Sequence, residues 1–105
     1  MAWVFLITAG LMEIGWPLGL KLAQQDGKAF MGTAIAIAFM AVSGYLLFLA
    51  QREIPMGTAY AVWTGIGAAG AFLVGVLFFG DSASLGKYIG VALIILGVIT
   101  LKVSH

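Results

Sequence analysis

The chain has 105 residues, 63% of them hydrophobic and only 9% charged, with a formal net charge of +1 and no cysteine. A soluble domain carries about 25% charged residues, so a chain this short and apolar has too little polar surface to cover a core in water. Lipid is the expected solvent. The charge balance holds no basic patch for nucleic acid, and the lack of cysteine excludes disulfides and thiolate metal sites.

Charges punctuate four apolar runs. Lys21, Asp26 and Lys28 mark the first break, Arg52, Glu53 and Pro55 the second, Asp81 and Lys87 the third, and Lys102 with His105 the end. The runs cover residues 2–20, 29–50, 57–79 and 86–101, each near the ~20 residues that a membrane-crossing helix needs. The first run has no preceding Lys or Arg and no small-residue cleavage site after it, so it reads as a span and not a signal peptide. The sequence predicts an all-α membrane protein: a single transmembrane domain over 1–105, built as a four-helix bundle with short loops. Lys21, Lys28 and Lys87 lie on one side of the membrane, Arg52 and Lys102 on the other. That division leaves orientation open under the positive-inside rule. One fixed orientation, and both orientations with antiparallel pairing of two copies, remain alternatives.

The first span carries one carboxylate, Glu13, near its centre. An ionisable group there costs at least about 2.5–3.5 kcal/mol to insert, so it marks a function. Two readings of it stay open. Glu13 is a neutral buried acid that only hydrogen-bonds another helix, or it trades its proton for a cation. Ala9, Gly10, Trp16 and Pro17 share its helix face at i±3 and i±4. The small pair admits a close neighbour, and Trp16 offers an indole N–H. Pro17 lacks the N–H that would bond the Glu13 carbonyl, so a kink or a freed acceptor is expected.

In the second span a small-residue ridge runs through Gly32, Ala36 and Met40 towards Ser43. Ser43 is either a site residue or bonded to the carbonyl four residues earlier. In the third span Tyr60, Trp63, Thr64 and Gly67 share a face. Counting from the same membrane side at ~1.5 Å per residue, Tyr60 lies ~5 Å deep, Trp63 ~9 Å and Glu13 ~15 Å. A polar aromatic ladder therefore descends towards the carboxylate, although Tyr60 also suits an interfacial aromatic belt. Gly65-Ile-Gly-Ala-Ala-Gly70 matches G-x-G-x-x-G, but that motif needs a βαβ unit. Inside a membrane span, Gly65, Gly67 and Gly70 read as a hinge or a packing surface. The fourth span has no charge between Gly90 and Gly97, which stand a heptad apart on a helix-packing face. Lys102 at its end is placed to snorkel.

One buried acid leaves little room for a path through a single chain. Two antiparallel copies would bring both Glu13 residues to the midplane, where transporter sites lie. Protons and cations would compete there for the same oxygens, and close carboxylates titrate as a unit. No nucleophile–base pair or metal-ligand cluster is present, so an enzyme, a cofactor and a metal centre are not expected.

The runs Glu13-Ile-Gly-Trp-Pro-Leu-Gly-Leu-Lys21, Pro55-Met-Gly-Thr-Ala-Tyr-Ala-Val-Trp-Thr-Gly-Ile-Gly67 and Gly90 to Gly97 resemble the small multidrug resistance family over essentially the whole chain. Trp16, the Gly-Leu-Lys21 ending and Lys102 resemble its guanidinium-exporter subtype. The resemblance implies an antiparallel homodimer of dual topology in a bacterial inner membrane and proton-coupled export of a small organic cation. It carries over Glu13 as the shared proton and substrate site, and Trp16, Ser43, Tyr60 and Trp63 as its lining. Gly90 and Gly97 carry over as the dimer contact. Pro17 departs from the subtype, where an alanine-like residue is usual, and this leaves guanidinium and guanylurea as alternative substrates. A planar cation with several N–H groups pairs bidentately with a carboxylate, and aromatic faces attract it. The alternatives are an exporter of quaternary ammonium and other drug cations, and a non-transporting membrane scaffold.

Overall fold

The computed structural model describes residues 1–104; His105, read above as part of the charged chain end, lies outside the described residues. Four α-helices account for most of the chain: α1 Ala2–Ala23, α2 Ala29–Ala50, α3 Met56–Phe78 and α4 Leu85–Ser104. All four are long and apolar enough to cross a membrane. They are the four expected spans, with α1 and α4 each three residues longer at the C-terminal end. Lys21 and Lys102 lie within the last turns of those helices, where a cation offsets the negative end of the helix dipole. The lysines lie inside the helices and not beyond their ends.

Connections are tight. Gly27 (φ 75°) turns the chain between α1 and α2, and Gly80 (φ 68°) turns it after α3; both need the left-handed backbone that glycine adopts without strain.

The helices form an open row and not a closed ring. α1 packs on both α2 and α3, α2 and α3 touch only slightly, and α4 approaches the backbone of α3 alone. The molecule measures 45 × 34 × 16 Å, a slab in its thinnest direction. The expected four-helix bundle is thus open along α4, which has no buried residue. Small residues set this layout. A Cβ on Gly19 would stand 2.6 Å from the Ala36 backbone nitrogen, and one on Gly32 would collide with the backbone of Ala23. The predicted ridge on α2 therefore faces α1, and close backbone approach replaces side-chain interdigitation there.

A buried cluster of Ala2, Leu6, Ala50, Ile54, Ala59 and Val62 closes the end of the row at the α2–α3 connection. Trp63 and Ile66 pack against it from the inside. This cluster anchors α3 against α1 just outside the depth of Glu13. At the same end the Lys102 ammonium sits 5.4 Å from the centre of the Trp3 ring, joining α4 to α1 through side chains.

Candidate functional site

Glu13 lies midway along α1, about 17 Å from the start of a helix ~33 Å long. It is half-buried between α2 and α3. Its neighbours on the helix explain how both partners come so near. Ala9 is fully buried, and a Cβ on Gly10 would press on Ile66 of α3 at 2.8 Å. The two small residues at i−4 and i−3 clear the space in which α2 and α3 meet the carboxylate.

From α2, Ser43 reaches across to α1. It is completely buried, and its Oγ lies 2.8 Å from the Ala9 carbonyl oxygen and 3.2 Å from Glu13 Oε2. The hydroxyl therefore bonds between helices, and the alternative of back-bonding within α2 does not occur. From α3, the Trp63 indole Nε1–H donates to Ser43 Oγ at 2.8 Å. Three helices are thus joined by one line of polar groups, Trp63 to Ser43 to Glu13, in an otherwise apolar interior. Such a line is worth more in a low-dielectric setting than on a surface. Tyr60, one turn earlier on α3, stands with its ring centre 5.4 Å from that of Trp63 and tilted by 45°. The predicted aromatic ladder is present, and Tyr60 at its outer end is exposed.

A cavity of about 280 Å³ opens beside this line, lined by Glu13, Pro17, Tyr60, Trp63, Thr64, Gly67, Ala68 and Ala71. No lysine or arginine lines it. A carboxylate and two aromatic rings facing one cavity suit a compact organic cation. The carboxylate supplies charge and paired acceptors, and the ring faces supply a negative quadrupole.

The remaining predicted residues distribute as follows. Trp16 does not line this cavity. It lines a separate crevice of about 300 Å³ with Leu20, Thr33, Ala36, Ile37, Met40 and Ala41, on the α2 side of α1. Pro17 lines the Glu13 cavity, and α1 runs through it as one continuous helix. Gly67 and Gly70 pack against α1: a Cβ on Gly67 would lie 2.7 Å from Glu13 Cγ, and one on Gly70 would collide with Ile14. Gly65 packs the other way, against Val98 and Ile94 of α4. The glycine run is therefore a close-packing surface on two sides of an unbroken α3. Gly90 and Gly97 face open space, with nothing within 4 Å of a Cβ at either position.

Sequence reasoning placed Thr64 on the Tyr60–Trp63 face without assigning it to the site, and it lines the cavity. The Ala9 carbonyl bonds Ser43, and no side-chain pattern announces a backbone acceptor.

The family model described as Small Multidrug Resistance protein matches residues 1–94. The chain is 46% identical over 104 residues to a protein of Salmonella typhimurium described as a guanidinium exporter, covering 99% of this chain and 98% of that one. It is 43% identical to a guanidinium exporter of Yersinia pseudotuberculosis, with 99% of each chain covered. A guanidinium exporter of Escherichia coli K12 is 44% identical over 99% of this chain and 98% of its own length.

Proposed function

Since this chain belongs to the small multidrug resistance family, we propose that it exports guanidinium, or a small guanidinyl cation such as guanylurea, in exchange for protons. The observation that carries the proposal is the Glu13 carboxylate, midway along α1, bonded by Ser43 and lining a cavity with Trp63 and Tyr60. The relatives described as guanidinium exporters support the choice of cation.

Glu13 holds a proton or the cation, never both. The cation pairs its N–H groups with the two carboxylate oxygens, and Trp63 and Tyr60 receive its flat face. Ser43 and Trp63 fix the carboxylate rotamer, so little side-chain freedom remains to be lost on binding. Protonation withdraws the negative charge, and the cation leaves. Competition for one group is what couples the two flows, and it makes apparent cation affinity fall as pH falls.

The working unit is an antiparallel homodimer of dual topology in a bacterial inner membrane. The thin open slab and the unburied α4 support a second copy. Because Glu13 lies midway along its helix, an inverted partner brings its own Glu13 to the same depth. Alternating access at that midplane then exposes the pair to one side at a time. Gly90 and Gly97 form the α4 contact with the partner, and Trp16, across α1 from the single-chain cavity, completes the lining in the dimer. Helix flexing at Gly65, Gly67 and Gly70 accompanies the change of access.

The test is current recording on a solid-supported membrane, using purified protein in liposomes. Guanidinium and guanylurea should each evoke proton-coupled currents, and Glu13→Gln should evoke none. Currents with a quaternary ammonium as large as those with guanidinium would favour the multidrug reading. Silence with every cation would favour a scaffold.

A further inference from the structure

The Ser43 hydroxyl has one proton, and two acceptors lie within its reach. The Ala9 carbonyl oxygen is at 2.8 Å and Glu13 Oε2 at 3.2 Å. A serine hydroxyl donates once and accepts twice. Trp63 Nε1–H already occupies one accepting position at 2.8 Å. One donor and one acceptor position are left for Ala9 and Glu13 together.

We propose that the Ser43 hydroxyl reverses its hydrogen bonds with the state of Glu13, donating to the carboxylate when it is charged and to the Ala9 carbonyl when it is protonated. With Glu13 charged, the charge-assisted bond to Oε2 is the stronger of the two on offer. With Glu13 protonated, its own O–H donates into the free lone pair of Ser43, and the serine proton turns to Ala9. Every polar group is satisfied in both states, and no heavy atom has to move far. Ser43 is a positioning residue here, acting through Glu13. Proton loading ties α2 to the backbone of α1 at Ala9, and cation loading releases that tie.

This inference rests on the proposed exchange at Glu13. The ionisable groups near it are few. α1 contributes Glu13 alone at this depth. Tyr45 of α2 stacks on Phe48, with ring centres 6.3 Å apart. Tyr60 of α3 lines the cavity. Lys102 of α4 sits over Trp3.

The sequence supplies a direct probe. Only two Ala–Gly pairs occur in the chain, Ala9–Gly10 and Ala69–Gly70. The full-length protein labelled with carbonyl-¹³C alanine and ¹⁵N glycine therefore gives two carbonyl–amide NMR signals per protomer environment, with Ala69 as the internal reference. In a pH titration the Ala9 carbonyl should shift with the same midpoint as the ¹³C-labelled Glu13 carboxyl, while Ala69 stays still. Guanidinium at fixed pH should drive both to their high-pH positions. The Ala9 shift should vanish in Ser43→Ala, shrink in Ser43→Cys, whose thiol is a weak donor, and persist in Ser43→Thr. Should Ser43→Ala not fold, the ranking of Thr above Cys decides. An Ala9 signal that stays still while Glu13 titrates, or that still moves fully in Ser43→Ala or in Ser43→Cys, overturns the reversal. A Glu13 carboxyl that titrates but ignores guanidinium overturns the exchange reading instead, and the pH arm still decides the hydroxyl.

Discussion

Gly67 of α3 backs onto the aliphatic arm of Glu13, so closely that a Cβ there would lie 2.7 Å from Glu13 Cγ and 3.2 Å from its Cβ. The glycine and Ser43 hold the acid from opposite sides. One sets where its stem lies by excluding bulk, the other where its head lies by a hydrogen bond.

Gly67→Ala should therefore harm transport more than folding. A Cβ at 2.7 Å from Glu13 Cγ has to push the Glu13 stem away, and misplacement at a reacting group is costly. Guanidinium-evoked current should fall about tenfold, equal to ~1.4 kcal/mol. Thermal stability in detergent should change by less than ~1 kcal/mol, since alanine is also the better helix former. Equal losses in both measurements would contradict the positional account.

Trp63→Phe keeps an aromatic ring and deletes the indole N–H that binds Ser43. A lost hydrogen bond to a buried hydroxyl costs on the order of 1 kcal/mol. Exchange rates measured at saturating guanidinium should drop roughly five- to tenfold. Trp63→Leu should drop them further, because the ring face is lost as well. Identical Phe and Leu rates would show that the ring adds nothing.

Gly32→Ala and Gly70→Ala make a contrast in packing. At Gly32 the new methyl meets the backbone of Ala23, and at Gly70 it meets the far end of the Ile14 side chain. Backbone cannot step aside, whereas Ile14 can change rotamer. Gly32→Ala should destabilise the α1–α2 pair by about 1–3 kcal/mol, and Gly70→Ala by less than ~1 kcal/mol. Reversible unfolding in mixed micelles would rank them.

Gly97→Leu should leave the single chain intact, because its Cβ would meet nothing within 4 Å. If α4 packs on a second copy through Gly90 and Gly97, the bulky side chain should shift the population towards monomer by at least tenfold. Sedimentation equilibrium in detergent measures this. An unchanged dimer would move the contact elsewhere.

Lys102→Met tests the side-chain tie between the ends of α4 and α1 made by the ammonium over Trp3. Contacts of this kind are worth about 0.5–1 kcal/mol at exposed sites. A small fall in melting temperature with unchanged transport is expected. Lost transport would place Lys102 in the mechanism.

Composition and spacing by themselves determined the four spans and the single acid within the first of them, because apolar length and the cost of a charge in lipid are properties of the chain read locally. They also determined the Tyr60–Trp63 ladder, since helical periodicity fixes relative depth. Tertiary structure alone decided that Ser43 bonds across to α1, that Trp16 looks away from the single-chain cavity, and that Gly65 and Gly67 pack against different helices. Which way around its axis a membrane helix faces is set by its neighbours. When nearly every residue is apolar, no polar stripe in the sequence marks the outer face.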